Sequence, residues 1–318
     1  MFSFFDKNIP LSLWNSEVLH LPNSLTGAHK NFLDEKGWLE LYSPCESRAI
    51  GGPSFEEAQD HVINRFLNSA ARMQFVCVDP KDEQSDIRQM VLDQLSDGHI
   101  FLLDIAAGNG AGTLAMLSLI CELRSHKALP KLPLNVSILG IDYSVDALNF
   151  YAELQDKIKP WLETNGINIT LTLEPCDLTV TGEFSEALDC FFEDAKSKRV
   201  NRFLIIVSAV SGLGLEGFEQ IQDSLKIAAA NFSHSKRNSS WLWVETPTNK
   251  SWMTIFADVL KHIMQKVKYR LLKNKQLYLI KSDITSLNDP IKRTFKWYDP
   301  YLESTPKSHV CVMAFKNK

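Results

Sequence analysis

No run of 18 consecutive uncharged apolar residues occurs in the sequence, so no membrane-crossing helix is expected. The opening MFSFFDKNIP lacks the basic stretch and long apolar core of a secretion signal, which makes the cytoplasm the expected compartment. The six cysteines, Cys45, Cys77, Cys121, Cys176, Cys190 and Cys311, form no Cys-x-x-Cys pair and no Cys/His set with the spacing of a metal site. Reduced thiols and no metal are therefore expected. Positive charge is also in short supply. With 34 Lys and Arg against 38 Asp and Glu, the net charge is −4. That balance does not support nucleic acid as a partner, though it leaves a local basic groove possible. The cluster Lys261, Lys266, Lys268, Arg270, Lys273 and Lys275 reads as a solvated helix face and the loop after it. Neither an internal repeat nor a low-complexity linker is present.

What is present is an ordinary globular composition, 45% hydrophobic and 23% charged over 318 residues, enough for one large domain or a domain with an appended segment. The first 50 residues carry Pro10, Pro22, Pro44 and two Trp without sustained periodicity. From residue 54 the spacing of Phe55, Ala58, Val62, Phe66 and Ala70, behind Ser54 with Glu57 three places on, predicts a capped helix over 54–75. A second helix in IRQMVLDQLSDG ends at Gly98.

Beyond it, near-continuous apolar runs at 99–105, 136–142, 167–173, 202–208 and 240–246 alternate with helical patterns at 112–123, 144–162, 183–196, 215–232 and 251–272. Such alternation predicts an α/β domain, a doubly wound Rossmann-like sheet with helices on both faces. Two further strands, 275–283 and 309–316, have no helix-length pattern between them and are expected to be antiparallel neighbours. Seven strands result, the last antiparallel. The division is a cap or substrate-recognition segment at 1–95 and a catalytic domain at 96–318.

Ligands of doubly wound sheets lie beyond the carboxyl ends of the strands, so strand ends are where chemistry is sought. The first ends in Asp104, Ile105, Ala106, Ala107, Gly108, Asn109, Gly110, Ala111 and Gly112, small residues that let a ligand approach backbone at a helix start. Read as a dinucleotide fingerprint, Gly108 and Gly110 leave Thr113 where the third glycine belongs. Read from Asp104, small residues fall at every second place, at Ala106, Gly108 and Gly110.

In that register the chain resembles the class I S-adenosylmethionine (SAM) dependent methyltransferases, with Ala106 where their first motif has glycine. The resemblance implies SAM as cofactor, bound at Asp104, Ala106, Gly108, Asn109 and Gly110, with Asp142 and Tyr143 at its ribose. It also implies Asp177 and Leu178 at its adenine and Ser208 near the transferred methyl. Ser208 stands where amino-methylating DNA enzymes carry Asn or Asp, and YDPY at 298–301 is a superficial echo in the wrong place. Pro175-Cys176 follows the third strand, not the fourth as in cytosine carbon-5 methyltransferases. The ends VSAVSGL and WLWVETP are loosely similar to those of the Rsm22-like branch, which is associated with ribosomal RNA, but that branch's metal-site cysteines are lacking.

No catalytic residue is assigned. His20, His29, His61, His99, His126, His234, His262 and His309 are scattered and read as surface or core residues. Transfer from a sulfonium needs alignment more than a base. Trp14, Trp38, Tyr42 and the glycine pair at 51–52 either cover the cofactor or staple the N-terminal segment to the sheet. The methyl acceptor stays unidentified among small molecules, RNA and protein. The alternatives are an inactive methyltransferase fold serving as a binding or assembly subunit and a nicotinamide-dependent oxidoreductase.

Overall fold

Two alternating sets of apolar side chains run along the central strands, and each set buries against its own layer of helices. This computed structural model describes residues 9–44, 52, 54–208, 210–232, 237–246, 284–286 and 291–317. The parallel core comprises β3 (Gly98–Ile105), β4 (Leu134–Asp142), β5 (Ile167–Pro175), β6 (Arg202–Ser208) and β7 (Asn238–Glu245). Leu102, Ile138, Leu204, Ile206 and Leu242 point to one face, toward α3 (Phe66–Val78), α5 (Ala111–Ser125) and α6 (Val145–Thr164). Phe101, Leu103, Phe203, Ile205, Trp241 and Trp243 point to the other, toward α7 (Thr181–Ser197) and α8 (Gly214–Phe232).

With β1 (Trp14–Asn15), β2 (Val18–Leu19), β8 (Ile284–Ser286), β9 (Ile291–Trp297) and β10 (Lys307–Asn317), the sheet order is β1-β2-β9-β10-β7-β6-β3-β4-β5, β8 pairing with β10. The doubly wound α/β architecture expected from the sequence is present, and β10 is antiparallel to β7. The strand count differs. Among the described residues there are ten strands, because β8 and β9 lie along one edge of β10 and a small N-terminal hairpin adds β1 and β2. The partner of β10 falls inside the stretch read as having no regular element. Its sequence, IKRTFKW, alternates buried Arg293, Phe295 and Trp297 with exposed Lys292, Thr294 and Lys296, a period-2 signal masked by its charges. The expected helix at 251–272, the strand at 275–283 and the basic cluster from Lys261 to Lys275 lie outside the described residues.

The helix expected over 54–75 is two helices, α2 (Phe55–Asn64) and α3, broken at Arg65 (φ −121°, ψ −23°). Its capping box is there: Ser54 Oγ accepts from Glu57 N–H at 3.2 Å, and the Glu57 carboxylate accepts from Ser54 N–H. The break has a physical cause. His29, on α1 (Asn23–Lys36), is buried and donates from Nε2 to the Val62 carbonyl at 2.8 Å, taking the acceptor that an unbroken helix would use internally. Its ring stacks on Phe66 at 4.6 Å, and Nδ1 meets the Tyr301 hydroxyl at 2.9 Å.

The N-terminal elements share the main apolar cluster with the sheet. Phe75 stacks on Phe295 at 4.2 Å. Trp14 packs near Phe75, and Trp38 meets Phe32, Phe55 and Phe150 edge to face, which is the stapling role. Tyr42 donates to buried Asp299 at 2.6 Å. No helix among the described residues is long and apolar enough to cross a membrane.

Candidate functional site

Strand order reverses at β3, since β4 and β5 extend the sheet on one side and β6 and β7 on the other. That reversal opens a crevice beyond the carboxyl ends of β3 and β6. The turn leaving β3 stands there. Ala106, Gly108 and Gly110 all have left-handed backbone, with φ of 54°, 53° and 73°. This is the physical content of small residues at every second place. Glycine enters the region freely, whereas Ala106 does so at a cost of about 1–2 kcal/mol. Gly110 is required twice over, because a Cβ there would lie 2.2 Å from the ring of Tyr151. At Gly108 a Cβ would meet nothing within 4 Å, so the turn faces open space.

Asp142, at the end of β4, is buried and ties this turn down. Its Oδ2 accepts from Gly108 N–H and its Oδ1 from Ser144 N–H, both at 2.9 Å. Burial pushes its carboxyl above the usual range, while the backbone N–H bonds pull it back. With the N–H groups of Gly108, Ser144 and Tyr143 on it, the carboxylate keeps part of its acceptor capacity for an incoming hydroxyl. Asp104 lies deeper, at the level of Gly140 on β4. Its Oδ2 accepts from the Thr113 hydroxyl at 2.6 Å, and burial raises its carboxyl to about 7. Thr113, which spoiled the dinucleotide fingerprint, thus holds the acid of the other register. The buried Tyr151 hydroxyl lies next to Asp104 and Thr113; the carboxyl raises the proton affinity of the phenol and the phenol lowers that of the carboxyl.

The three acids form a staircase across neighbouring strands. Asp104 pairs with Gly140, Asp142 pairs with Pro175 two residues higher, and Asp177 follows two residues beyond Pro175. The Cys176 N–H donates to the Asp142 carbonyl, which links the upper steps. Asp177 is exposed, and its Oδ1 accepts from Thr179 N–H at 2.8 Å, a turn-forming role. Leu178 points into the core under α7 and α8. Tyr143 is 42% exposed beside Asp142, its hydroxyl pushed up to about 12 mainly by partial burial. Ser208 is half-buried at the end of β6, its Oγ 3.4 Å from where a Cβ on Gly112 would stand.

His61, which the sequence alone leaves as a surface or core residue, joins the rim through Asn109. Asn109 is buried and its Nδ2 donates to His61 Nδ1 at 3.0 Å, docking α2 onto the glycine turn. Burial, helped by Arg65, lowers His61 to about 4, so the ring is neutral and accepts this bond. At the end of β7, buried Glu245 accepts with Oε1 from Val210 N–H at 2.8 Å and from the Trp243 indole at 2.9 Å, which fixes the chain after β6. Only the helical spacing of His61 could have placed it toward the sheet. Among the described residues there is no group of three or more His, Cys, Asp or Glu able to hold a metal.

No family model and no curated protein matches the sequence. Solved structures similar to it include a precorrin-6y C5,15-methyltransferase from Geobacter metallireducens, 12% identical over 73% of this chain and 89% of that one, with a TM-score of 0.33. Another is the rRNA methyltransferase AviRa from Streptomyces viridochromogenes, 8% identical over 73% of this chain and 83% of that one, TM-score 0.33. A third is the methyltransferase CalH in complex with SAH, 9% identical over 92% of this chain and 83% of that one, TM-score 0.31.

Proposed function

We propose that this chain binds SAM in the crevice above β3 and transfers its methyl group to an acceptor seated over β6 and β7. One observation carries the reading: of three alternating left-handed residues the middle one, Gly108, faces open space and is bonded to a buried carboxylate at the end of the next strand. Such a turn lets a ligand lie against backbone, and the spare acceptor capacity of Asp142 suits two vicinal hydroxyls of a ribose.

The residues present fit the cofactor. Ala106, Gly108, Asn109 and Gly110 form its backbone cradle, Asp142 holds the ribose with Tyr143 alongside, and Asp177 is the polar group available to the adenine. Leu178 contributes by supporting that loop from the core. N–H groups at the start of α5 favour a carboxylate, and the buried Asp104 carboxyl at the foot of the turn is the acid available to an ammonium. When bound, SAM supplies an electrophilic methyl on a sulfonium. Ser208 and the chain held by Glu245 then shape the place where a nucleophile lines up with it. The segment 1–95 supplies His61 and Arg72 to that rim and so selects the acceptor. The Thr113 side chain, occupied by Asp104, disfavours the nicotinamide reading.

Calorimetric titration with SAM, its demethylated product and NAD tests this. SAM and the product are expected to bind, NAD not, and Asp142→Ala to weaken SAM binding at least about tenfold. Because Asp142 also pins the turn, Asp142→Asn is the companion variant, each checked for an intact fold by circular dichroism. Binding of neither ligand class to the wild-type protein would leave a scaffold or assembly subunit as the better account.

A further inference from the structure

Arg72 on α3 sits beside the carboxyl end of β7, near Glu245. Its Nε donates to the His309 carbonyl at 3.1 Å, at the start of β10, which runs antiparallel beside the end of β7. Its sequence neighbour Met73 reaches the mouth: a Cβ on Gly112 would lie 3.2 Å from Met73 Cε and 3.4 Å from Ser208 Oγ. Arg72 is therefore placed beside the acceptor end, its anchoring carbonyl three strands from β3, roughly 14 Å across the sheet.

The side chain is half-buried, and burial lowers it to about 10. Glu245 acts on it through space, but among the described residues no carboxylate comes within ion-pair distance of Arg72, and its one hydrogen bond uses Nε. A guanidinium is a planar fork. With Nε tied to backbone, its terminal edge presents two parallel N–H donors, the geometry that matches two oxygens of a carboxylate or phosphate. Arg65, at the break before α3, adds positive potential at His61 together with Arg72. A partly desolvated cation without a contact counter-ion is an unfavourable arrangement that a bound anion relieves.

We infer that Arg72 anchors an anionic group, a carboxylate or a phosphate, carried by the methyl acceptor. The inference rests on the methyl-transfer reading and names the acceptor's chemistry: a nucleophile one end of which is a negatively charged group able to accept two parallel hydrogen bonds. The distance from the glycine turn assigns this fork to the acceptor and leaves the cofactor's own carboxylate to the start of α5.

Full-length protein carrying nitrogen-15 arginine is titrated with inorganic phosphate and, separately, with acetate, in the presence of the demethylated cofactor product. The Arg72 Nε resonance, identified by its loss in Arg72→Lys, is expected to move and saturate. Arg72→Gln is expected to weaken anion binding at least about tenfold while changing SAM affinity less than about twofold. Tighter phosphate than acetate points to a phosphorylated acceptor, and the reverse to a carboxylic acid. A stationary Arg72 signal with both anions overturns the inference. So does a tenfold loss of SAM affinity in Arg72→Gln, because the fork then serves the cofactor. If SAM and its product do not bind the wild-type protein, the methyl-transfer reading fails, while the anion titration without them still reports on Arg72. The wild-type titration decides the matter even where the glutamine variant does not fold.

Discussion

At the residue scale, the acid at the foot of the turn sets a trade between stability and binding. Asp104 has a folded-state value of about 7 against 3.8 in the open chain. The folded form therefore holds its proton more tightly, and the contribution to stability is full below about pH 4 and lost as pH rises through about 7. Asp104→Asn keeps the shape and the Thr113 bond but removes that loss. The variant is expected to gain on the wild type between pH 4 and 7, by on the order of 4 kcal/mol above pH 7, and to bind SAM more weakly. Denaturant unfolding across this range checks it; a constant difference would mean that Asp104 is not a buried titrating acid.

Elements meet at the break between α2 and α3, where His29 replaces a helical hydrogen bond and steers both helices. The turn of direction lets α2 bring His61 onto Asn109 while α3 lays Phe75 against Phe295 and Arg72 against β10. Burial lowers His29 to about 4, so the unfolded chain takes up a proton first and stability falls as pH drops from about 6.5 to about 4. His29→Gln is expected to cost about 1–3 kcal/mol at pH 7 through a lost buried bond and ring stacking. That deficit should vanish or reverse toward pH 4, changing by on the order of 3 kcal/mol, as the wild type loses its histidine-linked stability. Stability curves that stay parallel with pH would refute the assignment.

On the scale of the whole molecule, the N-terminal residues and the sheet are one body of buried side chains. Leu25, Phe32, Val62 and Phe66 belong to the same cluster as Leu102, Ile138 and Leu242. A chain beginning at residue 96 leaves the α5 and β9 surfaces that α1 to α3 cover open to water. It is expected to express as aggregate or to lack a cooperative thermal transition, since exposed apolar faces of that size associate. A soluble, cooperatively folded fragment would instead mark 1–95 as a detachable cap.

The alternation of apolar runs with helical patterns determined the architecture before any coordinates, because a strand buried on both faces has no other use for so many consecutive apolar residues. The β9 strand escaped notice because Lys292, Arg293 and Lys296 hide a period of two, and the helix break because nothing local announces a histidine arriving from 33 residues earlier in the chain. In the candidate site, the register beginning at Asp104 was legible, since left-handed backbone admits few residue types and leaves a trace of small ones. The partners were not: Thr113 under Asp104, Tyr151 behind Gly110, His61 on Asn109 and Arg72 against β10 come from different elements. Sequence by itself determined which residues could make the turn. Only the tertiary structure decided what surrounds it, because burial, and with it the charge state of Asp104, His61 and Arg72, is a property of how the helices pack and not of the residues alone.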